Sequence, residues 1–272
     1  MGRLITISFY CLCSFQFVCA NDSTLQLNLV KTITGNYKNI EADNLGNIYL
    51  ISSSNEIKKL NHNFDSIVSF NNSRRFGNIS LIDVSNPLKI LVYYKDFATI
   101  LTLDRFLNII NTIDLRKKNL SEINSLASSY DNNIWLFDEI ENKLKKINDI
   151  GTVLLETIDF RMLFDTEFVP TKIIDENNKL YLYSQQNGIA IFDYYGGLKH
   201  RYIINNLTNV QTRNNKFFGF DSENNLQEYD LQLTKSNSYK LSFANKFSIK
   251  TMLSHNLFFQ LNTNELNIYS IK

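Results

Sequence analysis

Disulfide bonds are excluded from most of this 272-residue chain, because its three cysteines, Cys11, Cys13 and Cys19, all lie within the first 20 residues. After that segment no apolar run reaches the roughly 20 residues that cross a bilayer. The chain also lacks a large net charge, because its 28 Lys and Arg residues nearly balance its 27 Asp and Glu residues. A nucleic-acid-binding domain would carry a basic surplus for phosphate contacts. These absences leave a domain that depends on its own hydrophobic core, which is feasible at this length.

The first 20 residues have the pattern of a secretory signal peptide. One positive charge, Arg3, precedes an apolar run from Leu4 to Val18, and small or short residues lead up to the polar Asn21. We therefore expect residues 1–20 to be a cleaved signal peptide and residues 21–272 to form a single mature domain. An uncleaved amino-terminal anchor is the alternative. A secreted chain without cysteines is more typical of the bacterial periplasm or outer surface than of eukaryotic secretion.

A repeat of about forty residues runs along the mature chain. It is clearest in a short strand of alternating apolar residues that ends in a polar turn residue. The six turn residues are Asn61, Asp104, Asn148, Asp193, Asp230 and Ser270, at successive spacings of 43, 44, 45, 37 and 40 residues. Regular repeats of this length indicate a solenoid, a propeller or an array of small units.

Each repeat contains four short strands without a helical pattern between them. In Ser85–Leu115, three of these strands follow one another with breaks too short for a parallel crossover, which predicts an antiparallel meander. Five complete units fit between Tyr37 and Phe243, and a sixth begins at Lys246 but lacks its fourth strand. Leu25–Thr34, an alternating segment before the first unit, can supply that strand.

This arrangement predicts an all-β fold, a six-bladed β-propeller of four-stranded antiparallel blades. The amino-terminal strand is expected to complete the last blade and so close the ring. A β-sandwich or an up-and-down barrel would not show a forty-residue period with four strands in each period. A helical repeat would place apolar residues three and four positions apart, whereas these alternate at two.

The sequence contains no recognisable catalytic or metal-binding motif. His62, His200 and His255 are isolated from one another, and the short Asp and Asn residues mostly occupy turns, where backbone geometry explains them. Trp135 is the only tryptophan, so the repeated Trp motifs of quinone-dependent dehydrogenase propellers are absent. We expect no cofactor, no metal and no enzymatic activity. The alternatives are a metal-dependent propeller hydrolase or lactonase, and a module that binds cell-envelope glycans.

Two stretches resemble known propellers. The segments DNLGNIYLIS, EIKKLN and DSIVSF of the first unit resemble an NHL-type blade, although the chain has only nine glycines. Asp83–Ile110 resembles a group of small secreted propeller-like proteins of Bacteroidota, which includes the periplasmic plug subunit of the type 9 secretion translocon. This resemblance implies a protein-binding module of the periplasm, an accessory or plug subunit of an outer-membrane export complex. It carries no catalytic residues.

The resemblance also implies which face of the disc binds a partner. It is the face that carries the connections between blades and the turns between second and third strands. Arginine and aromatic residues are enriched at protein interfaces. Three segments on this face are expected to contact a protein partner: Arg74, Arg75 and Phe76; Lys95, Asp96 and Phe97; and Arg161, Met162 and Phe164. The alternative is that Phe76, Leu163 and Phe164 fold back over the blade edges.

Overall fold

A computed structural model describes the backbone of residues 18–242 and 248–271, and within it the side chains from residue 23 onward. Almost all regular structure in these ranges is strand. The first two strands are β1 (Val18–Leu25) and β2 (Leu27–Thr34). The helical segments are α1 (Ser73–Phe76), α2 (Phe160–Leu163) and two 3-10 turns, Lys95–Phe97 and Arg116–Lys118.

The first three blades are four-stranded antiparallel sheets in simple meander order. Blade 1 contains β3 (Tyr37–Ala42), β4 (Ile48–Ser52), β5 (Ile57–Leu60) and β6 (Ser66–Phe70). Blade 2 contains β7 (Leu81–Asp83), β8 (Ile90–Tyr94), β9 (Thr99–Leu103) and β10 (Ile109–Asp114). Blade 3 contains β11 (Ile123–Ser128), β12 (Ile134–Asp138), β13 (Lys143–Ile147) and β14 (Val153–Glu156).

The last three blades continue the pattern until the chain ends. Blade 4 contains β15 (Lys172–Glu176), β16 (Lys179–Ser184), β17 (Gly188–Phe192) and β18 (Leu198–Tyr202). Blade 5 contains β19 (Thr208–Arg213), β20 (Lys216–Phe220), β21 (Leu226–Asp230) and β22 (Lys235–Leu241). Blade 6 contains β23 (Lys250–Ser254), β24 (Leu257–Leu261) and β25 (Glu265–Ile271).

The fourth strand of blade 6 comes from the start of the chain. Strand β2 pairs antiparallel with β25, from Leu27 opposite Ile271 to Thr34 opposite Glu265. The first strands of successive blades also contact one another around the centre, as β7 with β11, β11 with β15 and β23 with β3 do. The predicted six-bladed propeller and its closure by the amino-terminal strand are therefore confirmed.

Strand β1 is an element that the repeat did not predict. It runs parallel to β22 and adds a fifth strand to the outer edge of blade 5, with Ser23 opposite Tyr239 and Leu25 opposite Leu241. The predicted signal peptide, residues 1–20, lies outside the described residues except for Val18–Ala20, which belong to this strand. Its cleavage stays a prediction. Within the described ranges, no helix has the length and hydropathy of a membrane span.

One hydrogen-bonding pattern explains why Asp and Asn recur in the turns. In the turns between third and fourth strands, the side-chain oxygen of the first residue accepts bonds from the amides two and four residues later. Asp104 Oδ1, for example, accepts from Phe106 and Asn108 N, both at 2.8 Å. Asn61, Asn148 and Asp193 make the same pair of bonds. These side chains replace backbone partners and fix a tight turn.

The core consists of apolar clusters between adjacent blades. Trp135 and Phe137 of blade 3, for instance, pack with Leu182 and Phe192 of blade 4. The aromatic residues of the second strands are largely buried in these clusters, including Tyr49, Tyr93, Trp135, Tyr181 and Phe258. They fill the space between sheets, which is what equivalent positions in stacked repeats require.

Candidate docking face and axial cavity

The interblade face is the end of the disc that carries the connections between blades and the turns between second and third strands. Helices α1 and α2 and both 3-10 turns lie in these loops. The structure therefore brings all three predicted contact segments to one face, because antiparallel strands return to the same end of the sheet at every second turn.

Two of the aromatic residues expected on this face are buried. Phe76 is 7% exposed and packs against Tyr94, with 5.4 Å between ring centroids. Phe164 is 6% exposed and stacks on Phe168 at 4.5 Å. The expectation that Phe76 and Phe164 present their rings to a partner is wrong, since the free energy gained by burying an aromatic ring draws both into the core. Leu163 is also partly buried against this core, so the alternative is correct for all three residues.

The two segments at blades 1 and 2 lie next to each other and form a basic patch, which consists of Arg74, Arg75 and Lys95. Asp96 Oδ2 accepts a hydrogen bond from Asn78 N at 3.4 Å, which holds the Lys95–Phe97 turn beside the loop that follows α1. All three basic side chains are exposed, and none forms an ion pair with a described residue. Phe97 is 41% exposed beside them, with the Arg116 guanidinium 5.9 Å from its ring centroid.

An acidic groove of about 320 Å³ lies on the same face at blades 3 and 4. Its carboxylates are Glu139, from the turn after β12, and Asp165 and Glu167, from the connection after α2. None of the three forms an ion pair with a described residue. Asn142, which lines the groove and is buried, has an Oδ1 atom without a hydrogen-bond partner. The three carboxylates of the groove therefore remain available to a positively charged donor.

Arg161 lines this groove, but its charge is already balanced. Asp159 caps α2 by accepting a hydrogen bond from Arg161 N at 2.9 Å, and its two carboxylate oxygens also bind the guanidinium. The hydrogen bond with Asp159 raises the pKa of Arg161, and the same contact lowers the pKa of Asp159. The pair therefore leaves the negative charge of the groove unopposed.

Three exposed apolar side chains lie in the two connections that form the acidic groove, and together they make up its apolar rim. Met162 is 78% exposed on α2, Ile158 lies just before that helix, and Ile140 lies beside Glu139 in the turn after β12. The backbone joins these elements, because Phe160 N donates a 2.8 Å hydrogen bond to Asn142 O. Neighbouring exposed apolar side chains of this kind mark contact sites more often than isolated ones do.

A second concave site lies on the axis of the disc. The axial cavity has a volume of about 810 Å³ and is lined by residues of the first strands of all six blades. Two of its carboxylates already have donors: Glu41 Oε1 lies 2.7 Å from Lys250 Nζ, and Asp83 Oδ2 accepts a 2.6 Å bond from Ser128 N. No set of three His, Cys, Asp or Glu side chains in the described ranges is arranged to hold a metal ion.

The three histidines lie on the surface, away from both sites except for His255, which borders the axial cavity. His62 and His255 come from different blades, and the side chains of both lie close to Gly46. His200 lies in the outer strand β18 and faces the Tyr202 ring.

Glu139, Ile140, Asp165 and Glu167 were not recognised from the sequence. The only signal for Asp165 and Glu167 was their position within the long connection Phe160–Pro170, since no motif surrounds them. Glu139 and Ile140 follow a strand in a turn of ordinary composition. Their proximity to α2 depends on how blade 3 meets the connection to blade 4, which no local pattern reveals.

Comparisons with known proteins agree on the fold. No protein-family model matches the chain, and no characterised protein sequence matches it. Several solved propeller structures match the chain in fold. A streptogramin B lyase structure has 12% identity and a TM-score of 0.61, with 91% of this chain and 97% of that chain covered. A catalytically inactive virginiamycin B lyase from Staphylococcus aureus with quinupristin has 11% identity and a TM-score of 0.62, at 91% and 99% coverage.

The third structure belongs to a different group of propellers. The Pan2 WD40 domain of Neurospora crassa has 10% identity and a TM-score of 0.61, with 92% of this chain and 96% of that chain covered. At these identities the similarity establishes a shared fold and nothing finer, because propellers host many unrelated functions.

Proposed function

We propose that this chain is an exported, non-enzymatic propeller that binds a protein partner through its interblade face. The observation that carries the proposal is the acidic groove with its apolar rim of Ile140, Ile158 and Met162. A protein interface typically combines apolar anchors with charges that select and orient the partner. The leader-like first 20 residues support a location in the periplasm or at the outer membrane.

The charges of the interblade face suggest what the partner presents. The basic patch and the acidic groove lie in different sectors of the face, at blades 1 and 2 and at blades 3 and 4. A partner that binds across both would carry acidic groups opposite Arg74 and Arg75. It would also insert a Lys or Arg side chain between Glu139, Asp165 and Glu167.

The resemblance of Asp83–Ile110 to small secreted propellers of Bacteroidota narrows the proposal. In that setting the partner is a subunit of an outer-membrane protein export complex, and this chain is its accessory or plug subunit. The Lys95–Phe97 turn, which is part of the resembling segment, lies on the proposed docking face.

Affinity purification from the source cells, followed by mass spectrometry, tests the proposal. Met162→Asp places a charge on the apolar rim, and Tyr195→Asp is the matched control, because Tyr195 is 88% exposed in a turn at the opposite end of the disc. We expect the wild type and Tyr195→Asp to recover the same envelope protein and Met162→Asp to lose it. Equal recovery by both variants would remove the groove from the docking surface.

A further inference from the structure

The axial cavity has the size of a small-molecule site. Its volume of about 810 Å³ falls within the range of roughly 300 to 1,000 Å³ typical of ligand pockets. All six blades contribute to it, so its shape depends on the closed ring. The proposed docking function does not use this cavity.

Five carboxylates and three Lys or Arg side chains line the cavity. Two of these cations and two of these carboxylates, Lys172, Lys250, Glu41 and Asp83, interact as one cluster, and three of the four are held by neighbouring groups. Lys250 Nζ donates to Glu41 Oε1 and to Asn39 Oδ1, both at 2.7 Å. Asp83 accepts bonds from Ser128 N at 2.6 Å and from Ser85 Oγ at 2.9 Å. These contacts fix the positions of Lys250, Glu41 and Asp83.

Lys172 is the fourth charge, and it has no direct partner. It projects from β15 of blade 4, with no carboxylate oxygen of the described residues within 4.0 Å of its Nζ atom and no hydrogen bond. Glu41, and more weakly Asp83, act through space to raise the pKa of Lys172 despite its burial, so the ammonium remains charged. Glu41 has only one of its oxygens in a hydrogen bond, which leaves Oε2 open.

Ser125 adds a second polar group without a partner. It lines the cavity from β11 of the neighbouring blade, is 2% exposed, and its Oγ atom has no hydrogen-bond partner in the described part of the chain. Ser125 and Lys172 occupy equivalent positions, because Leu126 pairs with Leu136 and Ile173 pairs with Leu182 in the two sheets. Leaving a buried hydroxyl unpaired costs about 1 to 3 kcal/mol, which a bound ligand can offset.

We propose that the axial cavity binds a small zwitterion of the α-amino acid class. The ligand's carboxylate accepts hydrogen bonds from Lys172 Nζ and Ser125 Oγ, and its ammonium group donates to Glu41 Oε2. A ligand with a carboxylate and no positive charge would be repelled by Glu41 and Asp83 and would leave Glu41 Oε2 without a donor. A ligand with an ammonium group and no negative charge would be repelled by Lys172 and Lys250 and would leave Lys172 without an acceptor. A zwitterion supplies a partner for both Lys172 and Glu41, and it adds no net charge to this cluster of two cations and two carboxylates.

The test is a thermal-shift screen of the full chain with each of the twenty standard L-amino acids, followed by calorimetric titration of those that act. We expect at least one amino acid to raise the melting temperature, because a ligand that binds only the folded state stabilises it. Its N-acetyl derivative and its carboxamide, each of which lacks one of the two charges, are expected to bind at least about tenfold more weakly.

Variants show whether the binding occurs at this site. Lys172→Met and Glu41→Gln should each weaken binding by at least about tenfold, whereas Lys117→Met, at an exposed lysine outside the cavity, should leave it unchanged. If Lys172→Met does not fold, Ser125→Ala provides the same comparison. The proposal is overturned if no amino acid shifts the melting temperature, if the N-acetyl derivative binds equally well, or if binding survives in the cavity variants.

Discussion

Thr32 and Asn267 are joined by a hydrogen bond across the closure of the ring: the Thr32 hydroxyl donates to Asn267 Oδ1 over 2.7 Å. The two residues face each other in the register of β2 and β25. In every other blade the four strands of the repeat come from one continuous stretch of chain, so this contact lies where the two ends of the domain meet. The cohesion of blade 6 therefore depends on the amino-terminal strand.

A pair of cysteines tests this closure in solution. Thr32→Cys and Asn267→Cys, in a chain whose three native cysteines are replaced by serine, should form a disulfide, because facing residues on antiparallel strands are close enough to bridge. The bond should raise the melting temperature, since it constrains the unfolded chain. Non-reducing electrophoresis and thermal unfolding measure both effects.

The control pairs Thr32→Cys with Asn111→Cys, in an outer strand of blade 2. That pair should remain reduced. Equal oxidation of the two pairs, or no oxidation of the Thr32 and Asn267 pair, would contradict a ring closed by β2.

Loss of the hydroxyl group should lower the stability at one buried tyrosine, Tyr183, but not at another, Tyr94. Tyr183 OH donates to Leu207 O at 3.1 Å and accepts from Leu207 N at 2.7 Å, which ties blade 4 to the connection to blade 5. Tyr183→Phe should lower the free energy of unfolding by about 1 to 3 kcal/mol, because it leaves both backbone groups without their partner.

Tyr94 is the matched case, since it is as deeply buried but its hydroxyl has no partner among the described residues. Tyr94→Phe removes a buried, unpaired polar group and should leave the stability unchanged or raise it. Urea denaturation gives both values. A larger loss in Tyr94→Phe than in Tyr183→Phe would contradict the hydrogen bonding described.

Asp131 should make the stability depend on pH in the acid range. Burial raises its pKa, but hydrogen bonds from Lys146, Asn133 and Ser129 outweigh that effect and lower the pKa to about 2. A carboxylate with a depressed pKa in the folded state stabilises it above the pKa of the unfolded chain, near 3.8. That contribution is lost as the pH falls from about 4 to about 2.

The measurement is the free energy of unfolding of the wild type and of Asp131→Asn across this pH range. Other carboxylates also titrate there, so the difference between the two proteins isolates Asp131. We expect that difference to shrink steadily as the pH falls. A constant difference would show that the Lys146 contact does not favour the charged form.

The docking of the partner should weaken with salt. Electrostatic attraction between exposed charges is screened over about 10 Å at 0.1 M ionic strength. Arg74→Glu with Arg75→Glu should lower the affinity and reduce its salt dependence, which titrations of the purified partner at several ionic strengths would measure. Recovery of the same complex by this double variant, with unchanged affinity, would exclude the basic patch from the interface.

The fold was predictable because its information is local and repeated. Asn61, Asp104, Asn148 and Asp193 each begin the same turn, and that chemistry appears in the sequence at regular spacing. Strand β1 was not predictable, since its partner β22 lies far along the chain and parallel edge pairing leaves no periodic signal.

The site was only partly predictable. The sequence correctly predicted that Met162 and Phe97 are exposed. It could not show that the rings of Phe76 and Phe164 are buried in the core. That outcome depends on cavities between blades which only the packed structure defines. Lys172 and Glu41 come from blades that are far apart in sequence, so their shared cavity becomes visible only when the ring closes.

We propose that the interblade face contacts a protein partner in the cell. Site-specific photocrosslinking tests this proposal most directly, with a benzophenone amino acid placed at Phe97, Met162 or Tyr195. We expect positions 97 and 162 to crosslink to the same envelope protein, whereas position 195, on the opposite face, should give no crosslink. A crosslink from position 195 alone, or none from positions 97 and 162, would contradict the proposal.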